Sequence, residues 1–200
     1  MLIGVMTDRN ILFLIPEFPN IGEYQKSLYH NDIPLGTIQI ASYLKENADV
    51  KCDVIDLRME NDQKSHSYLA SLDSEKFRIP FVKLLEKNVI QEYQNISINC
   101  YTSFQYLMTE LMAKIVREEF PEKNIIVGGY HPSGVPADFT YKNSPYDIIV
   151  RGEAEKVLLD LFTSKKLDSK INFKNPQVML ADKVIDINDL PFPDFELYLR

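Results

Sequence analysis

IIVGGYHPSG, residues 125–134, is followed at a short distance by DIIVRGEAE, residues 147–155, and the two stretches decide how the chain is read. The chain holds 7 glycines in 200 residues, where average usage predicts roughly 14. Gly128, Gly129, Gly134 and Gly152 all fall in this short region. Asn124–Val127 and Asp147–Val150 are apolar runs of strand length, the first followed at once by glycine and the second by Arg151-Gly152, where a backbone must turn sharply or be approached closely. In an open α/β sheet the carboxyl edge of the strands is where ligands bind.

Working outward, the same pattern recurs. Ile11–Ile15 (ILFLI) reads as a first buried strand, ended by Pro16 and a polar loop from Glu17 to Ile33. Pro34 then opens a helix, where its missing N–H costs nothing, with Leu35, Ile38, Ile40, Ala41 and Leu44 as its apolar positions. Cys52–Leu57 reads as a second strand and Glu75–Asn88 as a helix with Phe77, Phe81, Leu84 and Leu85 inward. Ile96–Tyr101 is a third strand, and a helix from Phe104 to Phe120 carries Leu107, Leu111, Ile115 and Val116. A helix from Glu153 to Thr163 closes the alternation. Strands alternating with helices predict an α/β, Rossmann-like (flavodoxin-like) doubly wound fold: a five-stranded parallel sheet flanked by helices, over residues 1–170. Residues 176–187 hold two short apolar stretches, PQVML and KVIDI, which read as a small antiparallel hairpin. DLPFPDFELYLR follows as an extended arm, because Pro191 and Pro193 prevent helix. Residues 171–200 are thus expected to form a hairpin and linker.

Composition narrows the function. An apolar fraction of 45% with 26% charged residues is that of a folded globular chain. A net charge of -7, with no basic cluster longer than Lys165-Lys166, excludes a nucleic-acid or anionic-membrane surface. No run of 18 apolar residues is present and the first ten residues are too polar for a secretory signal, so a cytoplasmic location is expected, with Cys52 and Cys100 as packed free thiols. A receiver domain needs acidic residues after strand one and an aspartate ending strand three; here those strands end in Ile15-Pro16 and Cys100-Tyr101. A flavin phosphate loop is no better served by PEFPNIGEYQ.

Taken in order, IPLGTIQIASYL (33–44), CDVIDL (52–57), ISINCYTS (96–103), NIIVGGYHPSGVP (124–136), YDIIVRGEAE (146–155) and DLPFPD (189–194) resemble the N-terminal cobalamin-binding domain of the cobalamin-dependent radical S-adenosylmethionine enzymes. The resemblance covers nearly the whole chain. It implies cobalamin as the cofactor. It also implies a radical S-adenosylmethionine barrel C-terminal to Arg200, whose three-cysteine loop would hold a 4Fe–4S cluster and S-adenosylmethionine. Cys52 and Cys100 cannot supply those three thiolates, so the polypeptide alone is not expected to perform the radical reaction.

Corrin needs a broad apolar rim and its nucleotide tail a narrow slot where no Cβ intrudes. The resemblance places Pro34, Leu35 and Gly36 beneath the ring, and Tyr101, Thr102 and Ser103 at its edge with hydroxyl groups for amides or phosphate. Gly128, Gly129, Tyr130, His131 and Pro132 would line the tail slot, with Gly152 and Glu153 on its far side. The loop after strand one lacks the Asp-x-His-x-x-Gly motif that supplies a lower cobalt ligand, and His30 lies in the wrong context, so the cofactor is expected base-off with no protein histidine on cobalt. Simpler readings stand beside these. Gly128-Gly129 also serves merely to turn a strand into a loop, His131 to bind backbone, and Glu153 with Glu155 to complement a helix dipole. The alternative to a cobalamin domain is a non-catalytic α/β binding or scaffold module that has lost the vitamin.

Overall fold

A computed structural model of the chain describes residues 9–18, 33–59, 71–172, 175–181 and 186–198. His30 and His66 lie outside the described residues. The strands are β1 (Asn10–Ile15), β2 (Lys51–Asp56), β3 (Asn95–Asn99), β4 (Asn124–Gly128), β5 (Ile148–Arg151) and β6 (Gln177–Leu180). The helices are α1 (Leu35–Ala48), α2 (Ser74–Lys87), α3 (Tyr106–Glu119), the short α4 (Tyr130–Gly134) and α5 (Ala154–Thr163). All strand pairs are parallel and their order is β2-β1-β3-β4-β5-β6, a flavodoxin-like sheet with a switch point between β1 and β3.

Both faces of the sheet are covered, which is why β1, β4 and β5 read as largely unbroken apolar runs, whereas β3 (NISIN) alternates. Leu12, Leu14, Ile96, Ile98, Ile125 and Val127 pack under α2 and α3 with Phe77, Phe81, Met108 and Met112. Ile11, Phe13, Ile126, Ile148 and Val150 pack under α1 and α5 with Ala41, Leu44, Leu158 and Phe162. On α3 the buried stripe is set by Met108, Met112, Ile115 and Val116, and Leu107 is exposed, a shift of one position from the expected face. Leu35 is likewise exposed, because it begins α1 at the carboxyl edge where no layer covers it.

The sheet has six strands, not five. The first stretch of the expected hairpin becomes β6, which runs parallel to β5 with Val178 opposite Ile149. Of the second stretch, residues 182–185 lie outside the described residues and Ile187–Asp189 form a 3₁₀ turn. The physical cause is the return path. α5 shares a face with α1, whereas the helices of the other rightward crossovers lie on the opposite face, so the β5–α5–β6 connection has the hand opposite to the rest. It reaches β6 by running along the lower edge, where strand-start side chains hold it. Asn95 Nδ2 donates to Leu167 O (3.0 Å), and Asn124 Nδ2 donates to Ser169 O (2.9 Å). Asn124 Oδ1 accepts from Ile171 N (2.7 Å), and Lys170 Nζ meets Asp147, which also binds Arg117 and Ile125 N. Once delivered there, the segment gains more from pairing with the open edge of β5 than from a two-stranded hairpin, which is marginal alone.

The arm docks on its own domain. Gln39 Nε2 donates to Pro191 O (2.9 Å), Asp194 N donates to Ser42 Oγ (2.8 Å), and Tyr198 OH donates to Asp56 Oδ2 (3.1 Å). Leu197 enters the core beside α1, whereas Phe192 is 96% exposed.

Asn124→Ala removes three hydrogen bonds at a site fully closed to solvent and strands the Ile171 N–H and the Asn95 side chain. We expect a loss of about 2–4 kcal/mol, read as a lower urea midpoint at unchanged slope.

Candidate functional site

The loops leaving the carboxyl ends of β1, β3, β4 and β5 converge on one rim. Gln105, which is buried, ties two of them together: its Nε2 donates to Pro16 O after β1 (2.9 Å) and its Oε1 accepts from Tyr101 N after β3 (3.2 Å). Asn99 Nδ2 donates to Thr37 Oγ1 on α1 (3.3 Å), crossing the switch point. Neither Gln105 nor Asn99 is a candidate site residue in the sequence, since each acts through contacts that only the sheet order creates.

Gly129 is required by the fold itself. Its φ is +119°, and a Cβ there would lie 2.5 Å from Cys100 O and 2.8 Å from Asn99 Oδ1. The missing side chain at Gly129 thus serves the close approach of the β3 and β4 ends. Gly128 differs, because a Cβ there would meet only Val150 Cβ at 3.8 Å. Gly36 has open space around its Cβ position. Gly152 has φ +82° and a Cβ there would approach Ala181 Cβ at 3.2 Å, so the glycine lets the β5 turn pass beside the end of β6.

His131 N donates to Cys100 O (3.3 Å), so the same carbonyl that abuts Gly129 anchors α4. The imidazole is engaged at both nitrogens, Nδ1 with Ser103 Oγ at 2.8 Å and Nε2 with Asp138 Oδ2 at 3.0 Å. Tyr106 and Phe139 flank it, with ring centroids at 5.3 and 5.5 Å. Ser133 Oγ donates to Gly129 O (2.7 Å) and accepts from Gly152 N (3.0 Å), while Ser133 O accepts from Arg151 Nε (3.0 Å). Ser133 thus joins the β4 and β5 turns. Pro132 is buried beneath them and Glu153 begins α5 without a side-chain cap bond.

An apolar surface opens on this rim. Leu35, Tyr101, Phe104 and Tyr130 are all exposed, Tyr130 by 71%, and the Tyr101 and Tyr130 rings lie 5.0 Å apart. Pro34 precedes α1 with no side-chain cap, so the first N–H groups of that helix are unmet by any capping side chain. Thr102 Oγ1 is buried with no hydrogen-bond partner among the described residues. The structure therefore brings Pro34–Gly36, Tyr101–Ser103 and Gly128–Pro132 to one rim, with Gly152 and Glu153 at its β5 side. No family model matches the chain, and no curated protein does. Among the described residues no helix is long and apolar enough to cross a membrane.

Two measurements check this geometry. Gly129→Ala forces an alanine into a glycine-only backbone region against a carbonyl and should cost about 3 kcal/mol, whereas Gly128→Ala should change the denaturation midpoint little. Burial pushes the Cys100 thiol up to about 12 and Cys52 further still. At pH 8 both should resist a disulfide reagent in the native protein and react on unfolding. Since the folded value is the higher one, the Cys100 contribution to stability is intact below the ordinary thiol value of 9.0 and is lost as pH rises towards about 12.

Proposed function

We propose that the chain is a cobalamin-binding domain of the kind found in cobalamin-dependent radical S-adenosylmethionine enzymes. The observation that carries this reading is the exposed apolar surface of Leu35, Tyr101, Phe104 and Tyr130 at the carboxyl rim of a flavodoxin-like sheet, where such folds take large planar ligands. The residues fit the group in part. Leu35 and the open backbone at Gly36 suit a corrin face, the exposed Ser103 suits its amide edge, and a Cβ at Gly128 would meet only Val150. His131, with both ring nitrogens engaged, would meet the ligand only through Ser103.

When bound, cobalamin supplies a cobalt centre for methyl transfer or radical rearrangement, and that chemistry belongs to the cofactor. This chain's residues bind it, orient it and keep water from one face. The barrel carrying a 4Fe–4S cluster and S-adenosylmethionine is a proposed partner, and the exposed Phe192 on the docked arm is a natural contact for such a domain. Both cysteines are free and buried, which suits a cytoplasmic protein.

Hydroxocobalamin mixed with the chain and passed over a gel-filtration column should co-elute as a coloured protein with a base-off spectrum. Gly36→Trp places a large ring where the corrin would lie and should abolish the colour without lowering stability, since nothing lies within 4 Å of that Cβ position. A colourless wild-type protein would instead favour the scaffold module that has lost the vitamin.

A further inference from the structure

We propose that Ser103, His131 and Asp138 form a nucleophilic triad that transfers acyl groups from carboxylic esters, an activity separate from cofactor binding. The three side chains make one hydrogen-bonded line, Ser103 Oγ to His131 Nδ1 at 2.8 Å and His131 Nε2 to Asp138 Oδ2 at 3.0 Å. Asp138 as a carboxylate only accepts, so the ring proton sits on Nε2. In the neutral imidazole Nδ1 is then an acceptor, and the Ser103 hydroxyl donates to it. That leaves the Ser103 oxygen on an exposed residue, with a base already in contact. The two ring nitrogens exchange the roles they hold in the familiar serine hydrolases, and the triad is defined by roles rather than by chain position.

The surroundings fix the base and leave the nucleophile reachable. The imidazole is only 9% exposed and is held between Tyr106 and Phe139, with its backbone N–H on Cys100 O, so its orientation is set before any substrate arrives. Ser103 starts the 3₁₀ turn Ser103–Gln105 that runs into α3, where Gln105 N donates to Thr102 O and Tyr106 N to Ser103 O, so the backbone that carries the nucleophile is fixed. Tyr101, Phe104 and Tyr130 line the exposed surface beside Ser103 and suit an apolar acyl chain.

The chemistry balances with water as the second reactant. Ser103 Oγ bonds to the ester carbonyl carbon as its proton moves to His131 Nδ1. The bond from that carbon to the alkoxy oxygen breaks, and the alcohol leaves with the proton from Nδ1. Water, deprotonated by Nδ1, then attacks the acyl-serine, releasing the acid and restoring the Ser103 hydroxyl. The Nε2 proton stays on the side of Asp138 throughout, and no group changes oxidation state.

The test uses the whole chain, a fluorophosphonate probe read by intact-protein mass, and p-nitrophenyl butyrate hydrolysis. The wild type should take up one phosphonyl group, mapped to the Ser103 peptide, and should release p-nitrophenol. Ser103→Ala, a substitution at an exposed position, should lose both with an unchanged circular dichroism spectrum. His131→Gln should slow labelling about a hundredfold or more, and Asp138→Asn, at a half-exposed carboxylate, about tenfold or more. If His131→Gln fails to fold, the Ser103 and Asp138 variants decide the matter. No adduct on the folded wild type, or an adduct that persists in Ser103→Ala, overturns the proposal. Cobalamin uptake is read separately by colour, so either activity can fail alone.

Discussion

Where Gly129 passes Cys100, two strand ends come closer than any side chain would permit, and the carboxyl rim is organised around that contact. A Cβ at Gly129 would sit 2.5 Å from the Cys100 carbonyl oxygen. The same oxygen accepts the His131 N–H, so the close approach of β3 and β4 also decides where the imidazole stands. From that position His131 reaches Ser103 on one side and Asp138 on the other. Ser133, four residues after Gly129, extends the arrangement to the β5 turn through Gly152 N. Widening this one contact would loosen the histidine, the serine in front of it and the join between two loops.

The opposite edge of the sheet solves a different problem. Polar side chains at strand starts are ordinarily costly when buried, yet Asn95 and Asn124 are fully closed to solvent. Each is matched to backbone groups of the returning segment, and Asp147 is matched to Arg117, Lys170 and the Ile125 N–H. These bonds let a connection of unfavourable hand persist, because the segment travels along the lower edge rather than springing straight across the sheet. β6 follows from it. The lower edge thus sets the width of the sheet while the upper edge carries the candidate chemistry, a division expected when ligands gather at strand carboxyl ends.

The cobalamin reading and the triad reading draw on the same rim but on different properties of it. A large planar ligand is supported by exposed rings and by backbone left bare at Gly36 and Gly128. Acyl transfer is supported by a hydrogen-bonded line that would exist without any ligand. Ser103 stands at the border of both, exposed to solvent in front and tied to a partly buried histidine behind.

The alternation of strands and helices, the parallel sheet and the bounds of nearly every element were legible in the sequence, because burial on both faces writes itself as continuous apolar runs and glycine marks the turns between layers. The rim was legible too, since Gly128, Gly129 and Gly152 sit at strand ends wherever the strands lie. What the tertiary structure decided depends on contacts between residues far apart in the chain. The Cβ position of Gly129 faces a backbone carbonyl, a constraint no local pattern carries. β6 joins the sheet because asparagines on β3 and β4 hold the path to it. Asp138 meets His131 only because the turn after Pro136 folds back against α3, and Gln105 bridges β1 to β3 only because the strand order makes them neighbours. Local sequence determines where the chain turns and which segments are apolar; which polar groups meet across those turns is set by the packing of strands whose order the local pattern does not encode.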